Sequence, residues 1–191
     1  MPLVFVYGTL KKGQPNYFRL IDSSNGQAEF ITCARTVEPY PLVITGECNI
    51  PFLLNVPGSG QRVYGEIYSV DQKMLEFLDW FEECPDWYQR TLIQLEILKG
   101  NGETEVEEAF VYTKTKYEPD WLNKPTYDSY DSNGDHGLKY AYEEDMTRST
   151  LDQKSADFSQ NSEQEIKKNN SLQILTSTGD DHDVNFRGPL Q

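Results

Sequence analysis

The sequence predicts a mixed α/β fold built on an antiparallel or barrel-like sheet. Three observations carry that reading. Short β-type segments crowd the first 143 residues, one strongly amphipathic helix sits among them, and the apolar residues thin out beyond that point. Leu3–Tyr7 is an apolar run stopped by Gly8, the mark of a buried strand. Arg62–Val70 alternates, with Val63, Gly65, Ile67 and Ser69 set against Tyr64, Glu66, Tyr68 and Val70. Arg90–Leu98 alternates more clearly, Glu108–Thr113 follows, and the turn at Lys99–Glu103 predicts a hairpin. Pro39, Pro41, Pro51 and Pro57 punctuate the middle and predict loops there. The marked helix starts after Asp71, a good N-cap, carries Met74, Leu75, Phe77, Leu78 and Phe81 at helical spacing, and is stopped by Pro85. A shorter helix is expected after Asn16, carrying Phe18, Leu20 and Ile21.

Composition bounds the function. The chain has 191 residues, enough for one domain or one domain plus a tail, and 37% of them are apolar. Residues 147–191 are rich in Ser, Thr, Asn, Gln, Asp and Lys with no lasting period, which predicts a disordered tail after a domain spanning 1–146. Within it, Gln173-Ile174-Leu175 is a candidate docking stretch, and Asn169-Asn170-Ser171 fits a glycosylation sequon that means little without secretion. A net charge of -14 argues against nucleic acid and anionic membranes as partners. The N-terminus has neither the basic start nor the long apolar run of a signal peptide, and no stretch approaches a spanning helix. Cys33, Cys48 and Cys84 are odd in number and widely spaced, so reduced thiols in the cytoplasm are expected. With no Cys-x-x-Cys and two histidines, no zinc site is expected. Ser129–Tyr140 looks like a calcium loop at Asp131, Asn133 and Gly134 but fails at both ends, so no metal is assigned to it.

Two segments offer chemistry. In Val6-Tyr7-Gly8-Thr9-Leu10 a strand ends at a glycine that lets a ligand approach the backbone, and consecutive N–H groups in the following turn can bind a carboxylate or an oxyanion. Taken alone, a strand ending in an ordinary turn is the commoner meaning of such a segment. Leu78-Asp79-Trp80-Phe81-Glu82-Glu83-Cys84-Pro85 places acids at the last turn of a helix. The macrodipole disfavours negative charge there, Asp79 lies on the face of Glu82 and repels it, and Trp80 and Phe81 lower the local polarity. All three effects raise a carboxyl pKa toward neutrality, where a general acid–base works best. A solvated acidic helix end is the plainer alternative.

Val4-Phe5-Val6-Tyr7-Gly8-Thr9-Leu10, and Leu78-Asp79-Trp80-Phe81-Glu82 followed by Tyr88-Gln89-Arg90, resemble the opening loop and the catalytic stretch of the gamma-glutamylcyclotransferase superfamily. Glu38–Val43, Asn49-Ile50-Pro51, Pro57–Gly60 and Asp128–Ser132 are similar to its vertebrate branch acting on γ-glutamyl amines. The resemblance runs in order from about residue 1 to 143. It implies a small β-barrel flanked by helices, a Tyr7–Leu10 loop that binds the γ-glutamyl group, and Glu82 as the catalytic acid–base. It also implies the substrate class, γ-glutamyl groups on amines such as the ε-amine of lysine, released as 5-oxoproline and free amine. No cofactor is called for, and the expected assembly is a monomer.

Some alternatives stay open at this level. Glu83 competes with Glu82, but points about 100° away on an ideal helix, and the family match falls on Glu82. Nothing in the spacing supports Cys84 as a nucleophile with His136. Tyr88 and Arg90 share one face of a strand and either line the pocket or brace it, a salt bridge by Arg90 being one form of brace. A cyclotransferase for γ-glutamyl α-amino acids or glutathione, and a non-catalytic γ-glutamyl-binding module, are the rival functions.

Overall fold

The structure, a computed structural model, describes residues 1–141. The expected tail at 147–191, with its docking stretch and sequon, lies outside the described residues. Among the described residues seven strands and two α-helices follow one another, ahead of a 3-10 turn at Pro119–Asn123: β1 Leu3–Val6, α1 Tyr17–Ile21, β2 Ala28–Thr36, β3 Leu42–Thr45, β4 Ile50–Leu53, β5 Tyr64–Val70, α2 Gln72–Phe81, β6 Gln89–Leu98 and β7 Thr104–Thr113. Five of the strands close a barrel in the order β1-β5-β2-β6-β7, while β3 and β4 form a separate two-stranded ladder. Closure comes from a parallel contact between β1 and β7 at Val4 and Phe110. The expected mixed α/β fold with a small barrel is therefore the observed one.

Side-chain alternation explains where the core sits. Phe5 of β1 and Tyr7 just beyond its end point into a cluster with Ala34, Ile67, Leu95 and Val111 from the other barrel strands. Val4 and Val6, on the opposite face of β1, are buried as well. A strand covered on both sides reads as a continuous apolar run, which is how Leu3–Tyr7 appears in the sequence. Gly65 of β5 is required by the closeness of β1, because a Cβ there would lie 2.4 Å from the Val6 carbonyl oxygen and 2.6 Å from the Phe5 ring.

The marked helix forms as expected. The Asp71 side chain accepts from the Met74 amide at 2.7 Å, and Met74, Leu75, Phe77 and Leu78 are buried. It ends at Phe81, with Glu82 as its C-cap, ahead of Pro85. The hairpin at Lys99–Glu103 joins β6 to β7 in continuous register from Gln89 opposite Thr113 to Leu98 opposite Thr104.

Two expectations need correction. The proline-punctuated middle is not all loop, since it holds β3 and β4, with Pro51 inside β4 opposite Ile44. A two-stranded ladder consists of edges, where a residue without an N–H is tolerated. Strand β2 has no counterpart in the sequence reading. Its register shifts between Phe30 and Thr32, and that bulge breaks the two-residue period by which strands are recognised.

Residues 126–141 form a strap across the loops. Tyr127 donates its amide to the Leu42 carbonyl, the Tyr64 amide donates to Asp128, and the Ala141 amide donates to Cys48. Replacing Gly65 by Ala is expected to destabilise the protein by about 1–3 kcal/mol, read as a lower urea midpoint with an unchanged slope.

Candidate active site

Strand β1 delivers Tyr7-Gly8-Thr9-Leu10 to one wall of a cleft whose other walls include Pro51, Glu82, Tyr88 and Tyr112. The turn beyond is closed by its own bonds: the Lys11 amide donates to the Gly8 carbonyl at 3.1 Å, and the Asn16 amide donates to the Thr9 carbonyl at 2.9 Å. Asn16 Nδ2 also reaches Thr9 Oγ1 and the Tyr140 hydroxyl, which ties the turn to the strap. The amides of Gly8, Thr9 and Leu10 donate no hydrogen bond among the described residues. Gly8 faces Pro51 of β4, whose Cγ would stand 3.0 Å from a Cβ at that position. The absent side chain thus lets the opposite wall come close.

Glu82 lies in the lining of the same cleft. It is half-buried as a residue, and its side chain has no hydrogen-bond or ion-pair partner among the described residues. Burial without a compensating donor pushes its carboxyl from the ordinary 4.5 up to about 8. Three buried tyrosines complete the wall, and the charge of Glu82 raises the pKa of each in turn, after the larger effect of burial. Every one of their hydroxyls is committed elsewhere. Tyr7 donates to the Tyr112 carbonyl at 2.9 Å and accepts from the Leu53 amide. Tyr88 donates to the Pro51 carbonyl at 3.4 Å and stacks on Phe52. Tyr112 donates to Asp79 Oδ1 at 2.7 Å.

The physical cause of the raised carboxyl differs from the one the sequence suggests. Asp79 was expected to repel Glu82, but its charge is paired with Arg90, whose Nη1 stands 2.5 Å from Asp79 Oδ2. Desolvation alone carries the shift. Arg90 lies outside the cleft lining, in that ion pair and over the Phe110 ring at 4.9 Å, whereas Tyr88 lines the cleft. Glu83 is exposed, in a left-handed backbone conformation with φ 50°, and Cys84 is outside the lining. His136 sits in the strap, bonded to the Asp131 carbonyl and the Leu138 amide.

Tyr112, Phe5 and Ile50 line the cleft without having been singled out as site residues in the sequence. Tyr112 becomes part of the site through the β6–β7 register, which sets it opposite Arg90 across 22 residues. The one available signal was the strand pattern of Glu108–Thr113, which places an aromatic side chain but not what it faces. Lys114 was also missed. Its ammonium is buried, donates to the Trp87 carbonyl at 2.7 Å and lies 3.4 Å from the centre of the Trp87 ring, tying β7 to the turn after Glu82.

The sequence profile described as "Gamma-glutamyl cyclotransferase, AIG2-like" matches residues 4–132, and the chain belongs to that family. It is 76% identical over 143 residues to a protein named gamma-glutamylaminecyclotransferase C from Danio rerio, covering 74% of this chain and 94% of that one. A protein named gamma-glutamylaminecyclotransferase from Homo sapiens is 52% identical over 147 residues, covering 73% and 96% of the two chains. The crystal structure of an AIG2-like protein from Mus musculus superposes with a TM-score of 0.71 at 52% identity, covering 75% of this chain and 97% of that one. No helix among the described residues is long and apolar enough to cross a membrane.

The Glu82 carboxyl has a consequence for stability. The folded protein keeps its proton up to about 8, while an unfolded chain releases it near 4.5, so between these values rising pH favours the unfolded state. Glu82→Gln removes this penalty. The variant is expected to melt higher than wild type at about pH 9 and no higher at about pH 4, as measured by calorimetry.

Proposed function

We propose that this protein is a gamma-glutamylamine cyclotransferase that converts γ-glutamyl-ε-lysine into 5-oxoproline and lysine, with Glu82 as the acid–base. The observation that carries the reading is the pairing, in one cleft, of a donor-free Glu82 carboxyl raised to about 8 with a loop whose Gly8, Thr9 and Leu10 amides are uncommitted. The names of the relatives support the reaction class.

The substrate supplies its own nucleophile. Its α-amine attacks its own γ-carbonyl carbon and closes a five-membered ring, so proximity is built into the molecule. At neutral pH that amine is an ammonium and most of Glu82 holds its proton, so the step begins from the ionised fraction of Glu82, whose carboxylate takes one of the ammonium protons. The γ-carbonyl oxygen becomes an oxyanion as the ring closes. The free N–H groups at Gly8–Leu10 are the donors for it, aimed by the turn bonds that hold the loop rigid. Collapse of the tetrahedral intermediate breaks the bond to the leaving nitrogen. An alkylamine leaves only as the neutral amine, so the protonated Glu82 returns its proton to that nitrogen, while the ring nitrogen sheds its second proton to solvent and ends as the lactam N–H. One carboxyl thus serves twice, and a pKa near neutrality suits both transfers. Tyr7 braces the wall through both of its hydrogen bonds, and Tyr88 bounds the pocket.

The charge of the lining supports the choice of leaving amine. Among the described residues of the lining Glu82 is the single acid, and it is joined there by no Lys, Arg or His. A γ-glutamyl α-amino acid or glutathione places a carboxylate beside the scissile nitrogen and calls for a cation close by. The ε-linked lysine carries its carboxylate at the far end of a methylene chain, away from Glu82. We place this activity in residues 1–146, acting on a small molecule as a monomer.

A side-by-side assay of γ-glutamyl-ε-lysine, a γ-glutamyl α-amino acid and glutathione tests the reading. Release of 5-oxoproline is expected chiefly from the first. Preferred turnover of glutathione would contradict the amine assignment, and no turnover of any of them would leave a binding module. Glu82→Gln is expected to bind substrate and lose about 10²–10⁴-fold in kcat. For wild type, kcat/KM is expected to rise with pH through about 8, as Glu82 becomes the base, and to fall once the substrate amine and Glu82 together hold no proton for the leaving group.

A further inference from the structure

The catalytic carboxyl stands among three phenols and receives a hydrogen bond from none of them. Tyr7 reaches it from the end of β1, Tyr88 from the start of β6 and Tyr112 from β7, and the charge of Glu82 acts on all three. A tyrosine hydroxyl beside a carboxylate ordinarily donates to it, which stabilises the charged form. Here the Tyr7 proton goes to the Tyr112 carbonyl and the Tyr88 proton to the Pro51 carbonyl, both backbone acceptors set by the strand positions. The Tyr112 proton goes to a side chain, Asp79, and that acceptor is itself fixed on its other oxygen by Arg90. Of the three diversions, this one alone depends on a replaceable residue.

We propose that Asp79 is a positioning residue for the acid–base: anchored by Arg90, it takes the hydroxyl proton of Tyr112 and so prevents that phenol from donating to Glu82. Asp79 lies in the last turn of α2, three residues before Glu82, and Arg90 lies opposite Tyr112 in the β6–β7 register. The helix end and the sheet therefore meet at this one carboxylate. A phenol released from it would stand in the cleft wall that it shares with the Glu82 carboxylate, an acceptor that no other side chain of the described residues occupies. A Glu82 so bonded would be a weaker base for the substrate ammonium. The other charged groups nearby do not take this role: Glu83 is exposed and faces Lys114, and Tyr140 acts on Tyr88 from the strap. The inference rests on the reading of Glu82 as the acid–base, yet it concerns the carboxyl itself and is measurable without turnover.

The test is a 13C NMR titration of the full-length protein carrying labelled glutamate, with the Glu82 signal assigned by its loss in Glu82→Gln. Wild type is expected to titrate near about 8. Asp79→Ala is expected to lower that midpoint by about one unit, a tenfold loss of proton affinity. Asp79→Leu, closer in volume, serves where the smaller side chain does not fold. Adding Tyr112→Phe to either variant is expected to restore the midpoint, which loss of mere structural support would not do. Tyr112→Phe alone is expected to leave it in place. The acid limb of kcat/KM should move with the titration. The proposal is overturned if the Asp79 variants titrate as wild type, if their shift survives Tyr112→Phe, or if Tyr112→Phe alone raises the midpoint. Should Glu82→Gln keep full turnover, the acid–base role falls, while the titration still decides the role of Asp79.

Discussion

The site depends on a half-buried carboxyl that receives no hydrogen bond from the described residues. Most buried polar groups find partners, because an unpaired one costs free energy. At Glu82 the shortfall falls on the charged form, so the group keeps its proton to higher pH. The surrounding bonds make sense in that light. Tyr7, Tyr88 and Tyr112 supply the bulk that excludes water, and each is prevented from supplying the donor that would undo the effect. The protein bears the cost in stability above the ordinary carboxylate range and gains a group able both to take and to return a proton.

The barrel is what makes these bonds simultaneous. Tyr7 arrives on β1, Tyr112 on β7 and Arg90 on β6, three strands held in fixed register by closure between β1 and β7. Gly65 allows β5 to lie close enough to β1 for that closure. Outside the barrel, β4 brings Pro51 against Gly8, and the turn after α2 carries Glu82 to the cleft. The loop at Gly8–Leu10 keeps its amides free because its internal bonds use its carbonyls.

Much of this was legible in the chain. The cap at Asp71, the helical spacing from Met74 to Phe81, and the paired alternation of β6 and β7 gave local signals that match the elements formed. Glu82 and the Tyr7–Leu10 loop were visible as a family pattern, and both meet in the cleft. What escaped were relations rather than elements. Asp79 looked like a repelling neighbour because Arg90, eleven positions later, becomes its partner only when the helix end packs against β6. Tyr112 looked like a strand residue because its role depends on what lies across the sheet. Strand β2 escaped through its bulge and β4 through Pro51, since both features erase the periodicity that announces a strand, while β3, four residues long and buried throughout, is too short to show one.

Infrared difference spectroscopy of wild type against Glu82→Gln tests the central claim most directly, because the carbonyl stretch of a protonated carboxyl is distinct from the stretches of a carboxylate. At about pH 6.5 the account predicts a protonated-carboxyl band present in wild type and absent in the variant, converting to carboxylate bands as the pH passes through about 8. Carboxylate bands alone at that lower pH would show that Glu82 is already ionised and would contradict the account.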